Sequence, residues 1–391
     1  MTSAGTNAPS QPPAPIRCAT YLTCPADPAL GSAYVALGFA ERLTERGFVV
    51  TVVEPHQYMP FPRSNRGTFY RQTIGLLIHS LWTTLRRRAD LLLFYGGEAW
   101  LAVAVLSLLP RRLRPALVVH SNGLEPNCAE LLRGTAFDEG KPRRRWFQLP
   151  TSGLTVPAFR KVDGLVVVSE FEAVYARKRR WPSNGELLVL ENPLPSSLLG
   201  LANPSAREEV VGFCGGWSHV KGASRMLREL PTFLRRNPSW RFRVLGHSGE
   251  TMQEAFPADL RDRIEWIPPL DRETGLVREF QRLAILLSPA FYESFGLAVA
   301  EGMASGCAIV AAPVGFAAGL RDRSEVLLCE AGRPGELARS LEELARDGEL
   351  RQRVANAGYA RVQQLRWQPA GDLLARTLTR WIAGAVRPAD D

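Results

Sequence analysis

The sequence predicts an α/β protein built from two doubly wound parallel sheets facing each other across a cleft. Three observations carry that expectation. Short β-branched, apolar runs alternate with longer amphipathic stretches along the whole chain. Those runs are near-continuously apolar, the pattern of strands covered on both faces. The 391 residues exceed the ~100–200 of one domain, and each half holds at least five strand candidates.

In the first half the predicted strands are Cys18–Thr23, Phe48–Val53, Leu91–Tyr95, Ala116–His120 and Gly164–Ser169. In the second they are Leu187–Leu190, Val210–Cys214, Arg241–Leu245, Ile264–Ile267, Ala284–Ser288, Ala308–Ala311 and Val326–Cys329. Apolar residues at helical spacing mark Ser32–Arg46, Ser224–Arg236 and Glu336–Arg346 between them. The Pro- and Ser-bearing stretch Asn192–Ser205 reads as the join. In such sheets ligands sit at the carboxyl ends of the strands, so the cleft collects both chemistry-bearing edges.

Composition excludes several classes. With 46% hydrophobic and 22% charged residues, the chain is neither disordered nor fibrous. Six Cys are too sparse for a disulfide scaffold, and with no CxxC or Cys/His cluster neither zinc nor a redox dithiol is expected. A reducing cytoplasm is the expected compartment. Met1–Pro15 lacks a charged start and an apolar core, so it reads as a disordered tail and not a signal peptide. The longest apolar-leaning run, Ala99–Leu109, falls far short of the ~20 residues of a membrane span.

Net charge is +9, unevenly spread. Residues 1–200 hold 23 Lys and Arg against 15 Asp and Glu, whereas residues 201–391 hold 25 against 24. The first half is therefore the candidate for facing something anionic. Its excess lies largely in Arg86–Arg88, Arg111, Arg112, Arg114, Arg143–Arg145 and Arg177–Arg180, several beside Trp82, Leu108, Leu109, Trp146 and Phe147. Basic residues among apolar ones suit an anionic membrane surface; solvated arginine is the plain alternative. No nucleic-acid motif is present.

The most informative string is Ser288-Pro-Ala-Phe-Tyr-Glu293-Ser-Phe-Gly-Leu-Ala-Val-Ala-Glu301-Gly-Met-Ala-Ser-Gly306. It reads as a strand end, a loop carrying Glu293, and a helix capped by Ser294. The N–H groups of Phe295, Gly296 and Leu297 would then be free to bind phosphate, helped by the helix dipole. Glu293 and Glu301 flank that phosphate site and suit hydroxyls on either side of a diphosphate. The plain alternative is an ordinary capped helix with acidic residues at its start.

This string is similar to the E-x7-E motif of the retaining glycosyltransferases of family 4, which have the GT-B fold. The resemblance implies that Glu293 and the backbone after it hold a donor sugar, and that Glu301 holds a nucleotide ribose.

A second constellation, Val211-Gly-Phe-Cys-Gly215-Gly216-Trp-Ser-His-Val-Lys221-Gly222, follows a strand and precedes a helix. Glycine backbone plus an ammonium suits a diphosphate, while the GK[ST] of a P-loop is absent. Lys221 is one of only four lysines against 44 arginines. The segment resembles the family's G-R-x4-K-G loop, with Gly216 where the family has Arg. Gly31, in the turn Ala29-Leu-Gly-Ser32, resembles the family's Gly-rich loop; a plain β–α turn is the alternative. His120 ends a strand, and the resemblance implies a histidine contacting the donor sugar. His219 and His247 read as loop residues.

The resemblance runs from about residue 17 to 385. It implies two Rossmann-like domains: a tail over 1–16, an acceptor-side domain over 17–195, a donor-binding domain over 196–370, and a closing helix within 371–391 that crosses back. Expected is a hexosyltransferase-type enzyme that moves a sugar from a nucleotide diphosphate sugar to an acceptor hydroxyl with retention. No Asp-x-Asp suits a metal at the site, and no resident cofactor is expected. The donor, a UDP-, GDP- or other nucleotide sugar, is the substrate. The acceptor would be a glycan, a lipid-linked sugar or a small molecule. Peripheral attachment at the inner face of a membrane is a further option. The departure at Gly216 keeps open a degenerate nucleotide-sugar binder, and a hydrolase or epimerase on the same scaffold is the other alternative.

Overall fold

The structure, a computed structural model, describes residues 14–62, 67–133, 135, 151–201, 206–248, 253–272, 274–330 and 333–384. Most of the expected tail, Lys141, Arg143–Arg145, Trp146 and Phe147, residues 202–205 of the join, and 385–391 lie outside them.

The first sheet consists of β1 (Arg17–Tyr21), β2 (Val49–Val53), β3 (Leu91–Tyr95), β4 (Ala116–His120), β5 (Gly164–Val167) and β6 (Glu186–Val189). They are parallel, in the order β2-β1-β3-β4-β5-β6. Its helices are α1 (Gly31–Glu45), α2 (Pro55–Tyr58), α3 (Thr68–Leu85), α4 (Trp100–Leu106), α5 (Glu125–Leu132), α6 (Thr151–Leu154), α7 (Val156–Arg160) and α8 (Glu170–Lys178). Alternate residues of β3 enter separate cores. Leu91, Leu93 and Tyr95 pack with Phe39, while Leu92 and Phe94 pack with Val103 and Phe159. Both faces are dry, which is why the strand shows no polar alternation.

The second sheet consists of β7 (Glu208–Cys214), β8 (Arg241–Leu245), β9 (Ile264–Ile267), β10 (Leu283–Ser288), β11 (Ala308–Ala311) and β12 (Leu327–Leu328). It is also parallel, in the order β12-β11-β10-β7-β8-β9. It carries α9 (Ala223–Arg236), α10 (Gly275–Arg282), α11 (Leu297–Ala304), α12 (Glu336–Arg346) and α13 (Gly348–Val362). The last helix, α14 (Trp367–Ala383), packs on the first unit: Leu374, Leu378 and Trp381 are buried with Phe39 and Leu91. Its Trp367 Nε1 donates to the Tyr34 hydroxyl at 3.0 Å.

Every predicted strand is present within a few residues. One is reassigned: the run expected to open the second half, Leu187–Leu190, pairs as β6 with β5 at the edge of the first sheet. After α8 the chain returns beside β5 before it crosses over, and the strand's own residues favour neither sheet.

Turns that leave parallel strands gather on one sheet edge, and turns that enter them gather on the other. The cleft takes the leaving turns after β1, β4, β7 and β10. The entering turns carry Arg86–Arg88 before β3, Arg111–Arg114 before β4 and Arg177–Arg180 before β6. Basic segments far apart in sequence thus share the edge opposite the cleft. All six cysteines are free thiols. No helix among the described residues is long and apolar enough to cross a membrane.

Candidate active site

One cavity of about 350 Å3 opens between the two sheets. Its first-domain wall includes Gly31, Ser32, Ser121 and Asn122; its second-domain wall includes Gly215, Gly216, Lys221, Arg272, Glu293–Leu297 and Glu301. Ten of the eleven site residues expected to bind or act on a donor therefore line a single space. The exception is His120.

His120 is fully buried. Its ring stacks on Tyr95 at 4.7 Å between centroids and packs against Phe39 at 5.5 Å. At the end of β4 the alternation of side chains turns His120 into the core shared with α1, and the next two residues reach the cleft instead. Burial pushes its pKa down to about 4, so the ring is neutral near pH 7. The expectation that His120 points into the cleft is corrected: it supports the turn that carries Ser121 and Asn122.

Lys221 and Glu293 meet directly, Nζ to Oε2 at 2.6 Å. Lys221 precedes α9 and Glu293 lies in the loop between β10 and α11, so adjacent strands β7 and β10 bring them together. The N-cap prediction needs correcting. Helix α11 starts at Leu297 with Gly296 as its N-cap, at φ 93°, and no side chain caps it. Ser294 lies two residues too early. The chain turns through the left-handed region that only glycine enters freely, because the Phe295 carbonyl is held by the Phe316 N–H at 2.7 Å. Leu297 and Ala298, the first two residues of α11, still line the cavity, while the Val299 N–H is taken by the Gly296 carbonyl at 3.0 Å.

Glu301 sits one turn into α11, 3% exposed, in an ion pair with Arg272. Burial raises its pKa and the guanidinium opposes that rise. Gly31 faces this pair across the cleft: a Cβ there would lie 3.2 Å from Leu297 Cδ1 and 3.6 Å from Arg272 Nη2. A side chain there would press on Leu297 of the facing domain.

The domains are pinned beside the cavity by a buried hub. The Tyr292 hydroxyl donates to Glu172 Oε1 at 2.8 Å and accepts from the Leu124 N–H at 2.6 Å. Ser121 Oγ donates to the same carboxylate at 3.1 Å. Ser169, the N-cap of α8, donates to the Ser294 carbonyl at 2.6 Å. His247, read from the sequence as a loop residue, brings its Nε2 within 3.0 Å of both the Trp217 nitrogen and the Gly215 carbonyl oxygen and so ties down the turn around Gly216. His219 likewise bridges to Thr135 of the first domain at 3.0 Å.

Sequence reasoning missed Arg272, Tyr292 and Glu172. The only local signal for Arg272 is its place in a turn after a strand, where Asp271 accepts from the Thr274 and Gly275 N–H groups at 2.8 and 3.0 Å.

Two parallel doubly wound domains with a glycine-lined cleft between their carboxyl edges define the GT-B class. Residues 208–347 match the family model described as glycosyl transferases group 1. The D-inositol 3-phosphate glycosyltransferase of Streptomyces griseus is 31% identical over 190 residues, covering 45% of this chain and 40% of that protein. The chain thus matches about two fifths of that relative's length. Among solved structures, sucrose-phosphate synthase from Thermosynechococcus elongatus superposes with a TM-score of 0.74 at 18% identity, over 94% of this chain and 100% of that one. Anabaena HepE, solved with UDP-glucose, gives 0.65 at 15% identity, over 93% and 100%. The second domain is thus similar to the group 1 glycosyltransferases, and the chain as a whole shares the two-domain GT-B fold with those solved structures.

Proposed function

We propose that this protein transfers a hexosyl group from a nucleoside diphosphate sugar to an acceptor hydroxyl, with retention at the anomeric carbon and without a divalent metal. The observation that carries this reading is the convergence of Lys221, Glu293 and the open start of α11 on one wall of one cavity. The UDP-glucose in HepE supports a nucleotide-hexose donor, and the glycosyltransferase name of the Streptomyces relative supports sugar transfer.

In this reading the bond from the anomeric carbon to the diphosphate oxygen breaks as negative charge grows on the leaving group. The Lys221 ammonium and the N–H groups opening α11 stabilise that charge from fixed positions. The acceptor oxygen attacks from the face the diphosphate leaves, and its proton passes to the departing phosphate oxygen. Glu293 accepts hydrogen bonds from sugar hydroxyls and orients the ring; Glu301 does the same for the ribose. His120 acts through the Ser121–Asn122 turn. Glu293→Gln lowers turnover on the order of 10²-fold, since misplaced reacting atoms cost about that much, while the melt falls by no more than a few degrees, as the lost ion pair with Lys221 is partly screened. Unchanged turnover refutes the assignment. Product analysis without acceptor separates transfer from hydrolysis.

Peripheral attachment at the cytoplasmic face of an anionic bilayer is a second reading, which the edge opposite the cleft supports. Leu85, Leu108 and Leu113 protrude there, 80%, 76% and 59% exposed. They stand among Arg86, Arg87 and Arg112, for which no acidic partner is found among the described residues. An exposed apolar stripe of α3, Ile74, Ile78 and Trp82, runs up from that edge, and Arg88 lies 4.1 Å over the Trp82 ring. Apolar side chains ringed by guanidinium groups suit an anionic lipid surface. Co-flotation with phosphatidylglycerol vesicles, lost in Leu85→Ser/Leu108→Ser, is the expected result; equal recovery with neutral vesicles removes the idea.

A further inference from the structure

The resemblance leaves a charge deficit: with Gly216 in the arginine position, the Gly-rich loop offers a diphosphate only Lys221. We propose that Arg272 is the second cation of the diphosphate site, supplied from the β9–α10 turn instead of from the loop after β7. This rests on the donor-site reading above.

The cavity wall carries two cationic side chains among the described residues, Lys221 and Arg272. The guanidinium of Arg272 lies on the cavity wall between Glu301 and the Gly31 turn of the facing domain. One end pairs with Glu301. Nη2 lies 3.6 Å from where a Gly31 Cβ would stand, and the group sits 5.2 Å from the Tyr34 ring centroid. Arg272 therefore bridges the proposed ribose carboxylate and the glycine turn of the facing domain.

Its hydrogen-bonding capacity is underused. A guanidinium has five N–H donors, yet Nε is buried with no partner. The side chain is only 17% exposed, so water does not make up the difference freely. The Nη2 end, which faces the Gly31 turn and makes no hydrogen bond among the described residues, would donate to a phosphate oxygen. Glu301 need not let go: Arg272 uses Oε1, leaving Oε2 for a hydroxyl. The turn is already set by the Asp271 hydrogen bonds to Thr274 and Gly275.

The test compares the nucleoside diphosphate bound best among UDP, GDP, ADP and TDP with its own monophosphate and nucleoside, by titration calorimetry. Arg272→Ala weakens the diphosphate about 10–100-fold, the worth of one charged hydrogen bond, and leaves the nucleoside within about threefold. Gly216 has no atom within 4 Å of a would-be Cβ and its φ is outside the left-handed region, so a side chain can leave the backbone there. Arg272→Ala/Gly216→Arg therefore recovers part of the loss. Equal weakening of nucleoside and diphosphate would assign Arg272 to Glu301 alone and overturn the proposal. So would tighter binding, no change, or no recovery in the double variant. If the wild type binds none of the four diphosphates, the donor-site reading itself falls. If it binds one, and Lys221→Ala abolishes binding while Arg272→Ala does not, only the proposal for Arg272 falls.

Discussion

Replacing Lys221 with methionine keeps most of the aliphatic stem and removes the ammonium. In the ligand-free protein this deletes one ion pair, Nζ to Glu293 Oε2 at 2.6 Å. Lys221 is 36% exposed and Glu293 15%, so solvent screens the pair and its loss costs about 1 kcal/mol or less. That corresponds to a fall in Tm of about 2–4 °C for a domain of this size. Ligand binding responds quite differently. A diphosphate present at a hundredfold excess over its Kd stabilises the native state by about 2.7 kcal/mol, or roughly 5–11 °C on the same scale. Without the ammonium the Kd rises about 10–100-fold, so roughly half to five sixths of that shift vanishes at the same concentration. Differential scanning fluorimetry with UDP, GDP, ADP and TDP reads both quantities in one plate. A variant that melts near the wild type and still shows the full ligand shift would refute the role of Lys221.

Three further outcomes follow from the geometry. Tyr292→Phe removes the hydroxyl that serves both Glu172 and the Leu124 N–H, so urea melts should show a loss of about 1–3 kcal/mol, and the donor KM should rise as the domains loosen. Arg243 is 3% exposed between Glu208, Glu265 and Glu279, so Arg243→Ala leaves three carboxylates facing one another and should cost about 3–5 kcal/mol in the same assay. Glu125 has its pKa raised to about 8, first by burial and then by Glu98. The folded state therefore holds a proton that the unfolded chain releases near 4.5, so stability falls as pH rises from about 4.5 to 8 and levels off above. Glu125→Gln should flatten that slope in melts taken across the range; an unchanged slope would contradict the buried, protonated carboxyl.

The candidate site was legible in unequal parts. Glu293 and Glu301 belong to one strand–loop–helix unit, so their spacing alone brings them to one wall. Lys221 was legible because a lone lysine after glycines at a strand end has few other uses. The cap of α11 was misread by two residues, because Ser294 has the right chemistry but Gly296 takes the left-handed turn.

What the sequence determined by itself is local: which runs are strands, that the central strands are covered on both faces, and that two carboxylates and a lysine follow strand ends. Only the tertiary structure decided that His120 turns inward, that Glu186–Val189 joins the first sheet, that scattered arginines share one edge, and that Arg272 reaches Glu301. The physical reason is the same in each case. A strand buried on both faces carries no polar alternation to report which way a side chain points. Contacts such as Tyr292 with Leu124, 168 residues apart, depend on how separate units pack and leave no local signature in the chain.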